Sequence, residues 1–411
     1  MAGPLPLGEP APLDGSLPNQ AALSSGQRTF HVYVHIPFCR VRCGYCDFNT
    51  YTATELQDAS QSNFADVLIK EIRLSRGVIR AAEVASRPIT SVFFGGGTPT
   101  QLPAADLVKI LSELRDVFGL ADNCEVTTEA NPDNIDESYL AELVEGGFNR
   151  ISFGMQSAVP EVLATLERTH NPDSVAKNVA IAKKLGFQTS VDLIYGAPGE
   201  TMEQWQSSVE AALAMNSEHI SAYALIVEPA TKLARQIRSG EKPEPDEDLQ
   251  ADKYEWLDQR LAKAGFNWYE LSNWSKNESA ASAHNIAYWA GQDWWGFGPG
   301  AHSHVAGKRW SNMKHPTTYA KLLGEGILPS QDGEQLGNQE MLEERAMLEL
   351  RLSGGLDLSV IHELNPSYQK AVSELVGTEL IDGVAAISGR AVLTLKGRLL
   401  ADFVLRKLLG L

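Results

Sequence analysis

The sequence predicts an α/β protein built on a parallel sheet with crossover helices, either barrel-like or open. Two observations predict this fold class. Between residues 30 and 226, six short apolar runs rich in β-branched and aromatic residues alternate with amphipathic helical stretches. Polar residues recur at the ends of those runs, where parallel strands would place a shared site. The 411 residues, 43% of them hydrophobic, suffice for one large domain and a smaller one.

Six strand candidates follow one another along the first half of the chain. They are HVYVHIPF (31–38), SVFFGGGTP (91–99), EVTTEANP (125–132), ISFGMQS (151–157), TSVDLIYG (189–196) and HISAYALI (219–226). Helices are predicted between them, for example AADLVKILSELRDVFG (104–119) and PDSVAKNVAIAKKLG (172–186), the second of which ends at Gly186. Six strands, each followed by a helix, indicate a parallel sheet with its connections on the outside.

The regularity fades after residue 240. An acidic, proline-containing connector (241–250) precedes another predicted strand, NWYELSNW, and a loop rich in glycine and aromatic residues (283–304). Helices return with EMLEERAMLELRL, LSVIHEL and PSYQKAVSELV, followed by a predicted β-pair (383–397) and a last helix, an order similar to a winged-helix module. The predicted organisation is a flexible tail (1–27), a core barrel (28–240), a barrel extension (241–335) and a C-terminal module (336–411).

Charge and composition exclude several classes of partner. The net charge of −17 argues against nucleic acid as a ligand, and residues 336–411, with eight basic and ten acidic side chains, are not expected to bind DNA. No run of about 18 apolar residues occurs, so no membrane span is predicted. Arg28 is the first basic residue and four cysteines are too few for a disulfide scaffold, so we expect no secretory signal and a cytoplasmic location.

Three of the four cysteines lie in one short loop directly after the first predicted strand. Cys39, Cys43 and Cys46 have the spacing C-x3-C-x2-C. Thiolate clusters select iron–sulfur or zinc, and zinc would need a fourth ligand such as His31, His35 or a distant residue. A [4Fe–4S] cluster held by three thiolates would leave one iron open to an external ligand. The remaining cysteine, Cys124, is predicted to pack in the core.

Polar residues fall in or at the ends of successive predicted strands. In a β/α barrel these strand ends face one mouth, where such enzymes place their sites. Any single residue of this group could serve only in a turn or a cap, but their recurrence on successive strands favours a functional role. The group is Thr98, Glu129, Asn131, Gln156, Ser157 and Asp192.

Several segments together resemble the radical S-adenosylmethionine (SAM) superfamily and, within it, the anaerobic coproporphyrinogen III oxidase-like family. They are YVHIPFCRVRCGYC, FFGGGTPT, TTEANP, ISFGMQS, DLIYGAPGET and HNIAYW, with the helical tail. The resemblance covers nearly the whole chain from about residue 30. It implies a partial (β/α)6 TIM-like barrel of the radical SAM type, with a C-terminal helical, winged-helix-like module.

The resemblance also implies cofactors and the residues that would hold them. The three clustered cysteines, Cys39, Cys43 and Cys46, would ligate a [4Fe–4S] cluster whose open iron takes the amino and carboxylate groups of SAM. Glycine turns let a polar ligand approach the backbone closely, although a glycine run alone often serves only as a tight turn. The implied SAM contacts are Tyr33, Tyr45, Gly96, Gly97, Thr98, Glu129, Gln156, Arg168 and Asp192.

Two features of the sequence distinguish between two possible functions of the protein. The oxidases of the family carry a fourth cysteine two residues after the third, where this chain has Phe48. The segment HNIAYW matches the H-N-x-x-Y-W motif that the resemblance associates with heme binding, although such an aromatic-rich segment could simply be core. The motif places His284, Asn285, Tyr288 and Trp289, and His284 is the best single candidate for the heme contact, with His302 and His304 as competitors.

These features favour a heme chaperone, which would bind heme and hand it to an apo-hemoprotein acceptor that could itself be membrane-associated. The alternative is a radical SAM oxidoreductase acting on a tetrapyrrole, namely an oxygen-independent coproporphyrinogen III dehydrogenase. Such an enzyme would cleave SAM to a 5′-deoxyadenosyl radical. The intact cysteine loop and SAM contacts keep this alternative open.

Overall fold

The computed structural model describes residues 6–11, 13, 15–17, 28–56 and 61–411. The strands in these residues are β1 (Glu9–Pro10), β2 (Phe30–Ile36), β3 (Ile89–Gly96), β4 (Leu120–Ala130), β5 (Arg150–Gln156), β6 (Gln188–Tyr195), β7 (His219–Ala224), β8 (Asn267–Glu270), β9 (Asn273–Ser275), β10 (Asp293–Phe297), β11 (His302–Val305), β12 (Lys308–Asn312), β13 (Ser330–Gln335), β14 (Leu356–Asp357) and β15 (Arg390–Ala391).

The helices of the same residues pack around the sheet and form the C-terminal module. They are α1 (Phe64–Ala81), α2 (Ala104–Phe118), α3 (Glu137–Gly146), α4 (Pro160–Thr165), α5 (Pro172–Lys184), α6 (Met202–Ala214), α7 (Lys232–Arg238), α8 (Glu247–Lys263), α9 (Ala283–Trp289), α10 (Pro316–Gly324), α11 (Asn338–Glu349), α12 (Leu358–Leu364), α13 (Tyr368–Gly377), α14 (Gly383–Ile387), α15 (Leu395–Leu399) and α16 (Ala401–Leu409). None of these helices is long and apolar enough to cross a membrane.

Local sequence signals set several helix boundaries. The side chain of Asp136 accepts a hydrogen bond from the Tyr139 backbone N–H at the start of α3, and Thr201 and Gln204 form a capping box at the start of α6. Gly186, predicted to end a helix, has a φ of +94° just after α5, a conformation that glycine adopts without strain.

Thirteen strands form one sheet in the order β1-β13-β12-β11-β10-β2-β3-β4-β5-β6-β7-β9-β8. The six predicted strands are β2 to β7, which run parallel in chain order, so the predicted α/β class is confirmed. Beyond β10 on one side of the sheet and beyond β7 on the other, the strands pair in antiparallel fashion. The central sheet therefore brings the carboxyl ends of its strands to one side and their amino ends to the other.

The prediction of a loop over residues 283–304 is wrong. This segment contains α9 and β10, and β10 pairs in parallel with β2, from Asp293 opposite Phe30 to Phe297 opposite Val34. Gly296 of β10 serves close packing rather than a loop, because a Cβ at this position would collide with the His302 carbonyl oxygen of the neighbouring strand. The parallel part of the sheet thus has seven strands, one more than predicted.

Two other predictions of β-structure are corrected. NWYELSNW, predicted as one strand, forms the hairpin of β8 and β9, in which Trp268 lies opposite Trp274. The predicted β-pair over 383–397 is wrong, because Gly383–Ile387 is a helix started by the Asp382 side chain, which accepts a hydrogen bond from Ala385 N. The strand β15 instead pairs with β14, which lies before α12.

Part of the predicted flexible tail packs against the sheet. Glu9 and Pro10 pair with Gln335 and Glu334 of β13, and Leu17 is buried in the main core. Residues 1–5, 12, 14 and 18–27 of that predicted tail lie outside the described residues.

In the described residues, the buried hydrophobic side chains form a main core in the barrel, a second core in the C-terminal module and a smaller cluster that includes Val162 and Ile194. The main core runs from Leu17 to Trp310 and continues across the boundary predicted at residue 240. The second core contains buried side chains between Ala346 and Leu408. Arg398 of the module joins the two parts through a bidentate ion pair with Asp258 of α8, at 2.7 and 2.8 Å.

Candidate functional site

A cavity of about 580 Å³ runs inside the barrel, from the carboxyl ends of the parallel strands down to α9. Fifteen of the sixteen residues predicted as ligands or contacts line it, including the three clustered cysteines. The exception is Trp289, whose ring nitrogen is buried without a hydrogen-bond partner away from the cavity. The structure therefore brings the predicted cluster, SAM and heme residues around one space.

The mouth of the cavity is formed by the cysteine loop that follows β2. Cys39, Cys43 and Cys46 are free, partly buried thiols, and all three line the cavity. The loop is closed by the backbone, since Cys39 N donates to Tyr51 O (3.0 Å) and Tyr51 N donates to Pro37 O (2.7 Å). Cys124 differs: it is buried away from the cavity, as expected for a packing residue.

The surroundings of the thiols suit an iron–sulfur cluster. A Cβ on Gly97 would lie 2.6 Å from the Phe38 carbonyl oxygen and 3.0 Å from Cys39 Sγ, so only glycine leaves room beside this thiol. Arg168 Nη1 lies 3.7 Å from Cys43 Sγ, so a cationic group stands beside the cysteine loop. Burial raises the pKa of Cys39 to about 11, a cost that binding to a metal would remove.

The histidines considered as a fourth zinc ligand are engaged elsewhere. His31 is hydrogen-bonded to the Thr29 hydroxyl (2.8 Å) and the Ser91 hydroxyl (2.7 Å). His35 is hydrogen-bonded to the Tyr33 hydroxyl and to Asn49 O, both at 3.0 Å. Over the described part of the chain, no three His, Cys, Asp or Glu side chains converge as they would around a single metal ion. The donor set at the mouth is therefore three thiols without an imidazole.

Two half-buried carboxyl groups face the cavity below the cysteine loop. Burial and the charge of Asp192 raise the pKa of Glu129 to about 8, and Gly96 N donates to Glu129 Oε2 at 3.3 Å. The Ser152 hydroxyl donates to both carboxylate oxygens of Asp192, at 2.9 and 2.7 Å, and burial raises the pKa of Asp192. Two adjacent carboxyl groups can accept hydrogen bonds from a polyhydroxylated ligand such as a ribose.

Gln156 and Arg168 complete the wall near the mouth. Gln156 ends β5 with a φ of +64°, beside an irregularity in the pairing with β6 that follows Gly154. A non-glycine residue in the left-handed region is strained, and such strain is concentrated at functional sites. Arg168 Nη2 donates to Gly154 O at 2.8 Å, which fixes the guanidinium between this bulge and the cysteine loop.

The remaining predicted residues of the mouth are placed differently from one another. Tyr45 lies in the cysteine loop and packs against the apolar cluster that includes Val162 and Ile194. Tyr33 lies in the middle of β2, and its ring stacks on that of Phe93 with the ring centroids 6.3 Å apart. Thr98 and Asn131 line the cavity. Ser157, predicted with the strand-end group, is buried off the cavity and bonds to the Ser208 hydroxyl (2.9 Å).

The floor of the cavity is α9, which carries the HNIAYW motif across the amino ends of the strands. Glu125 of β4 holds the start of this helix, since its carboxylate accepts hydrogen bonds from Ala283 N and His284 N, both at 3.0 Å. Ser282 caps the helix by accepting from Asn285 N. The motif and the cysteine loop therefore lie at opposite ends of the strands.

His284 is a fully engaged side chain of the floor. Its Nδ1 is hydrogen-bonded to the Ser91 hydroxyl (2.8 Å) and its Nε2 to the Tyr288 hydroxyl (3.0 Å), while the ring stacks on Phe93 at 5.2 Å. Burial and the nearby His31 hold the pKa of His284 well below its usual value. Asn285 Nδ2 donates to Glu270 Oε1 at 3.1 Å.

The competing histidines do not line the cavity. His302 is exposed at the start of β11. His304 is buried against Trp294, with ring centroids 5.0 Å apart, and neither of its nitrogens has a hydrogen-bond partner. The cavity geometry therefore favours His284 and Tyr288 over both.

Several lining residues were not predicted from the sequence. They alternate along the strands below the predicted positions, as side chains on one face of a strand do. In β5, for example, Arg150, Ser152, Gly154 and Gln156 all line the cavity, at every second position. The alternation of polar residues in ISFGMQS and in the neighbouring strands is the sequence signal that could have identified these lining residues. The missed residues of the floor are Thr127, Arg150, Ser152, Ser190, His219, Ser221 and Tyr269.

Comparison with known proteins identifies the family. A family model of the radical SAM superfamily matches residues 33–212. The heme chaperone HemW of Mycobacterium tuberculosis (strain CDC 1551 / Oshkosh) is 44% identical over 383 residues, which cover 93% of this chain and 95% of that protein. The chain belongs to the HemW family of the radical SAM superfamily. A second member, the heme chaperone HemW of Bacillus subtilis (strain 168), is 33% identical and covers 92% of this chain and 98% of its own.

This member of the HemW family shares its fold with a radical SAM enzyme of known structure. The coproporphyrinogen III oxidase HemN from Escherichia coli superposes with a TM-score of 0.79, at 24% sequence identity, over 95% of this chain and 92% of its own. The superposition includes the C-terminal helices as well as the barrel, because it extends over nearly the whole chain. The predicted radical SAM fold with a C-terminal helical module is confirmed.

Proposed function

We propose that this protein is a cytoplasmic heme chaperone, which binds heme and transfers it to an apo-hemoprotein acceptor, and which carries a [4Fe–4S] cluster and SAM. The observation that carries the proposal is that the cysteine loop and residues of the HNIAYW motif line the same cavity, the loop at its mouth and the motif at its floor. The similarity to HemW proteins over nearly the full length supports it.

At the mouth, Cys39, Cys43 and Cys46 would hold the cluster. When bound, such a cluster supplies one iron with an open coordination position. Arg168 would offset the negative charge of the thiolates. Glu129 and Asp192, whose carboxyl groups face the cavity, would accept hydrogen bonds from the ribose of SAM.

Phe48 distinguishes this mouth from that of the oxidases. It stands where the resemblance places the oxidases' fourth cysteine, and its side chain is 61% exposed at the rim of the cavity. Three further exposed apolar side chains share this rim, namely Val41, Tyr223 and Ile226. These exposed apolar side chains, which on the cysteine loop adjoin the exposed Arg40, Arg42 and Asp47, can contact a flat hydrophobic cargo, as a fourth thiol could not.

At the floor, the hydrogen bonds of α9 restrict how heme iron can be bound. Ligation by His284 Nε2 requires its hydrogen bond to Tyr288 to break, because Nδ1 is already bonded to Ser91. Tyr288 can offer its oxygen to iron while it keeps the bond to His284. Tyrosine and histidine both serve as axial heme ligands in proteins.

The second candidate function is the radical SAM oxidoreductase acting on a tetrapyrrole. One observation favours it: Glu129, Gln156, Arg168 and Asp192, the implied SAM contacts, all line the cavity together with the cysteine loop. A cavity lined by these residues would be compatible with SAM cleavage, and a reaction test separates the two functions.

The test uses the full chain after anaerobic reconstitution of the cluster. Hemin is titrated and followed by its Soret band. In parallel, the protein is incubated with SAM, reductant and coproporphyrinogen III. We expect saturable hemin binding and no protoporphyrinogen IX. Decarboxylation of coproporphyrinogen III would favour the oxidoreductase, and absence of hemin binding would exclude the chaperone.

The motif is tested with His284→Ala and Tyr288→Phe. His302→Ala is the matched control, because His302 is exposed and off the cavity. Both motif variants should weaken hemin binding and shift the Soret band while iron–sulfur content stays unchanged. The control should leave both readouts as they are. If Tyr288→Phe retains the wild-type spectrum, the phenol oxygen is not a ligand.

A further inference from the structure

In the described floor of the cavity, two buried polar atoms lack a hydrogen-bond partner. Arg150 Nη2 and Thr127 Oγ1 are buried atoms without a hydrogen bond, and both residues line the cavity. Arg150 is 2% exposed and Thr127 is 1% exposed. Their Cα atoms are direct partners in the pairing of β4 with β5, so the two side chains lie side by side on one face of the sheet.

The positive charge of Arg150 is only partly compensated. Its Nη1 donates to two neutral acceptors, Ala280 O (2.9 Å) and Gln188 Oε1 (3.2 Å). The nearest carboxylate is Glu125, whose Oε2 lies 3.7 Å from Nη1. That carboxylate already accepts three hydrogen bonds at the start of α9, from Ser282 Oγ, Ala283 N and His284 N.

A buried guanidinium with a free N–H group is costly unless a ligand completes it. Arginine stays charged in proteins, and leaving part of a buried charge unpaired costs more than leaving a neutral group unpaired. Its planar fork matches the geometry of a carboxylate. The Thr127 hydroxyl beside it offers one more donor to the same ligand atom or its neighbour.

We propose that Arg150 and Thr127 form a carboxylate-binding site in the floor of the cavity. The proposal rests on the proposed function, because heme and SAM, the two expected ligands, both carry carboxylates. The position favours a heme propionate. Arg150 lies six positions before Gln156 in β5, or roughly 20 Å from the mouth along the strand, so a SAM carboxylate held at the cluster is out of reach.

The experiment compares hemin with hemin dimethyl ester, which differ only in their carboxylates, and uses SAM to test the alternative occupant of the site. Hemin, hemin dimethyl ester and SAM are each titrated into the reconstituted wild type, Arg150→Met and Thr127→Val. Thr127→Val is nearly isosteric, which keeps the test valid if Arg150→Met folds poorly. Arg309→Met is the control, because Arg309 is also largely buried but lies off the cavity, paired with Glu344 at 2.9 Å.

We expect Arg150→Met to bind hemin about tenfold or more weakly, as for loss of a charge-assisted hydrogen bond, and Thr127→Val about threefold more weakly. Wild type should bind the dimethyl ester more weakly than hemin, and Arg150→Met should bind both equally. SAM affinity should stay unchanged in both variants. A structural role alone would not produce a difference between hemin and its ester.

The other outcomes have definite meanings. Weaker SAM binding in Arg150→Met with unchanged hemin binding would assign the site to the SAM carboxylate. Equal weakening of hemin and its ester, or no change in any ligand, would overturn the site. Failure of the wild type to bind hemin would instead overturn the heme-chaperone proposal, and the SAM titrations would then still decide the role of Arg150.

Discussion

The mouth and the floor of the cavity hold their functional residues in different ways. At the mouth, the three thiols are partly exposed on a loop that β2, Tyr51 and a glycine turn position from one side. At the floor, His31, Ser91 and His284 are at most 3% exposed and form a continuous chain of hydrogen bonds. The mouth can therefore adapt to a cluster and SAM, whereas a ligand at the floor must fit bonds that already exist.

The largest effect should come from removing one thiol of the mouth. Cys43→Ala should abolish the cluster, because two thiolates cannot hold a cube that uses three, and iron should fall from about four per chain to background. Iron analysis and the visible spectrum after reconstitution measure this. Cys124→Ala is the control, since Cys124 is buried off the cavity. Equal loss in both variants would contradict the assignment.

The next effect concerns the glycine turn of the mouth. Gly97→Ala should displace the cysteine loop and lower cluster occupancy strongly, because the new Cβ would meet the Phe38 carbonyl at 2.6 Å. Gly77→Ala is the matched control: it lies in α1 with nothing within 4 Å of the new Cβ and should gain roughly 0.5–1 kcal/mol in the free energy of unfolding. Full iron content in Gly97→Ala would show that the turn is not needed.

The third effect concerns Glu129 and the affinity of the protein for SAM. Above about pH 8, where the Glu129 carboxyl is ionised, Glu129→Gln should weaken SAM binding about tenfold, because a neutral amide replaces the charged acceptor. In the wild type, SAM affinity should rise as the pH increases through about 8, where this carboxyl ionises, and the variant should lose this dependence. Titrations from about pH 7 to 9 measure both effects, and a flat wild-type profile would contradict the role.

Glu129→Gln should weaken SAM binding but increase the stability of the fold at high pH. Burial raises the pKa of Glu129 from 4.5 to about 8, so its contribution to stability is fully present below 4.5 and is lost as the pH rises through 8. Glu129→Gln cannot ionise and should therefore raise the unfolding temperature near pH 9, about one unit above that pKa. A lower unfolding temperature would indicate that the carboxylate is stabilised in the fold.

The smallest effect should come from the floor. Ser91→Ala leaves the Nδ1 atoms of His31 and His284 without their partner, which should cost about 1–3 kcal/mol in the free energy of unfolding. Iron content should not change, because the serine is remote from the thiols. Ser207→Ala, on the exposed side of α6, should stay within about 0.5 kcal/mol. Loss of iron in Ser91→Ala would show that floor and mouth are coupled.

The sequence by itself determined the barrel and the mouth. The runs that became β2 to β7 are apolar and β-branched over a length typical of buried strands, so their existence and order follow from local pattern. The cysteine spacing and the glycine run lie within short segments adjacent to those strands, so their meeting at the carboxyl ends also follows from the parallel arrangement.

Only the tertiary structure decided the floor. Ser91 and His284 are 193 residues apart, and Glu125 meets the start of α9 across a separation of 159 residues. No local sequence pattern predicts contacts over such distances. The glycines of 283–304 are typical of a loop, and only the pairing of β10 with β2 shows that part of this segment is a strand. The same long-range packing leaves Arg150 Nη2 and Thr127 Oγ1 buried without hydrogen-bond partners. Whether a buried polar atom finds a partner depends on which strands and helices pack around it, which the sequence of its own strand does not reveal.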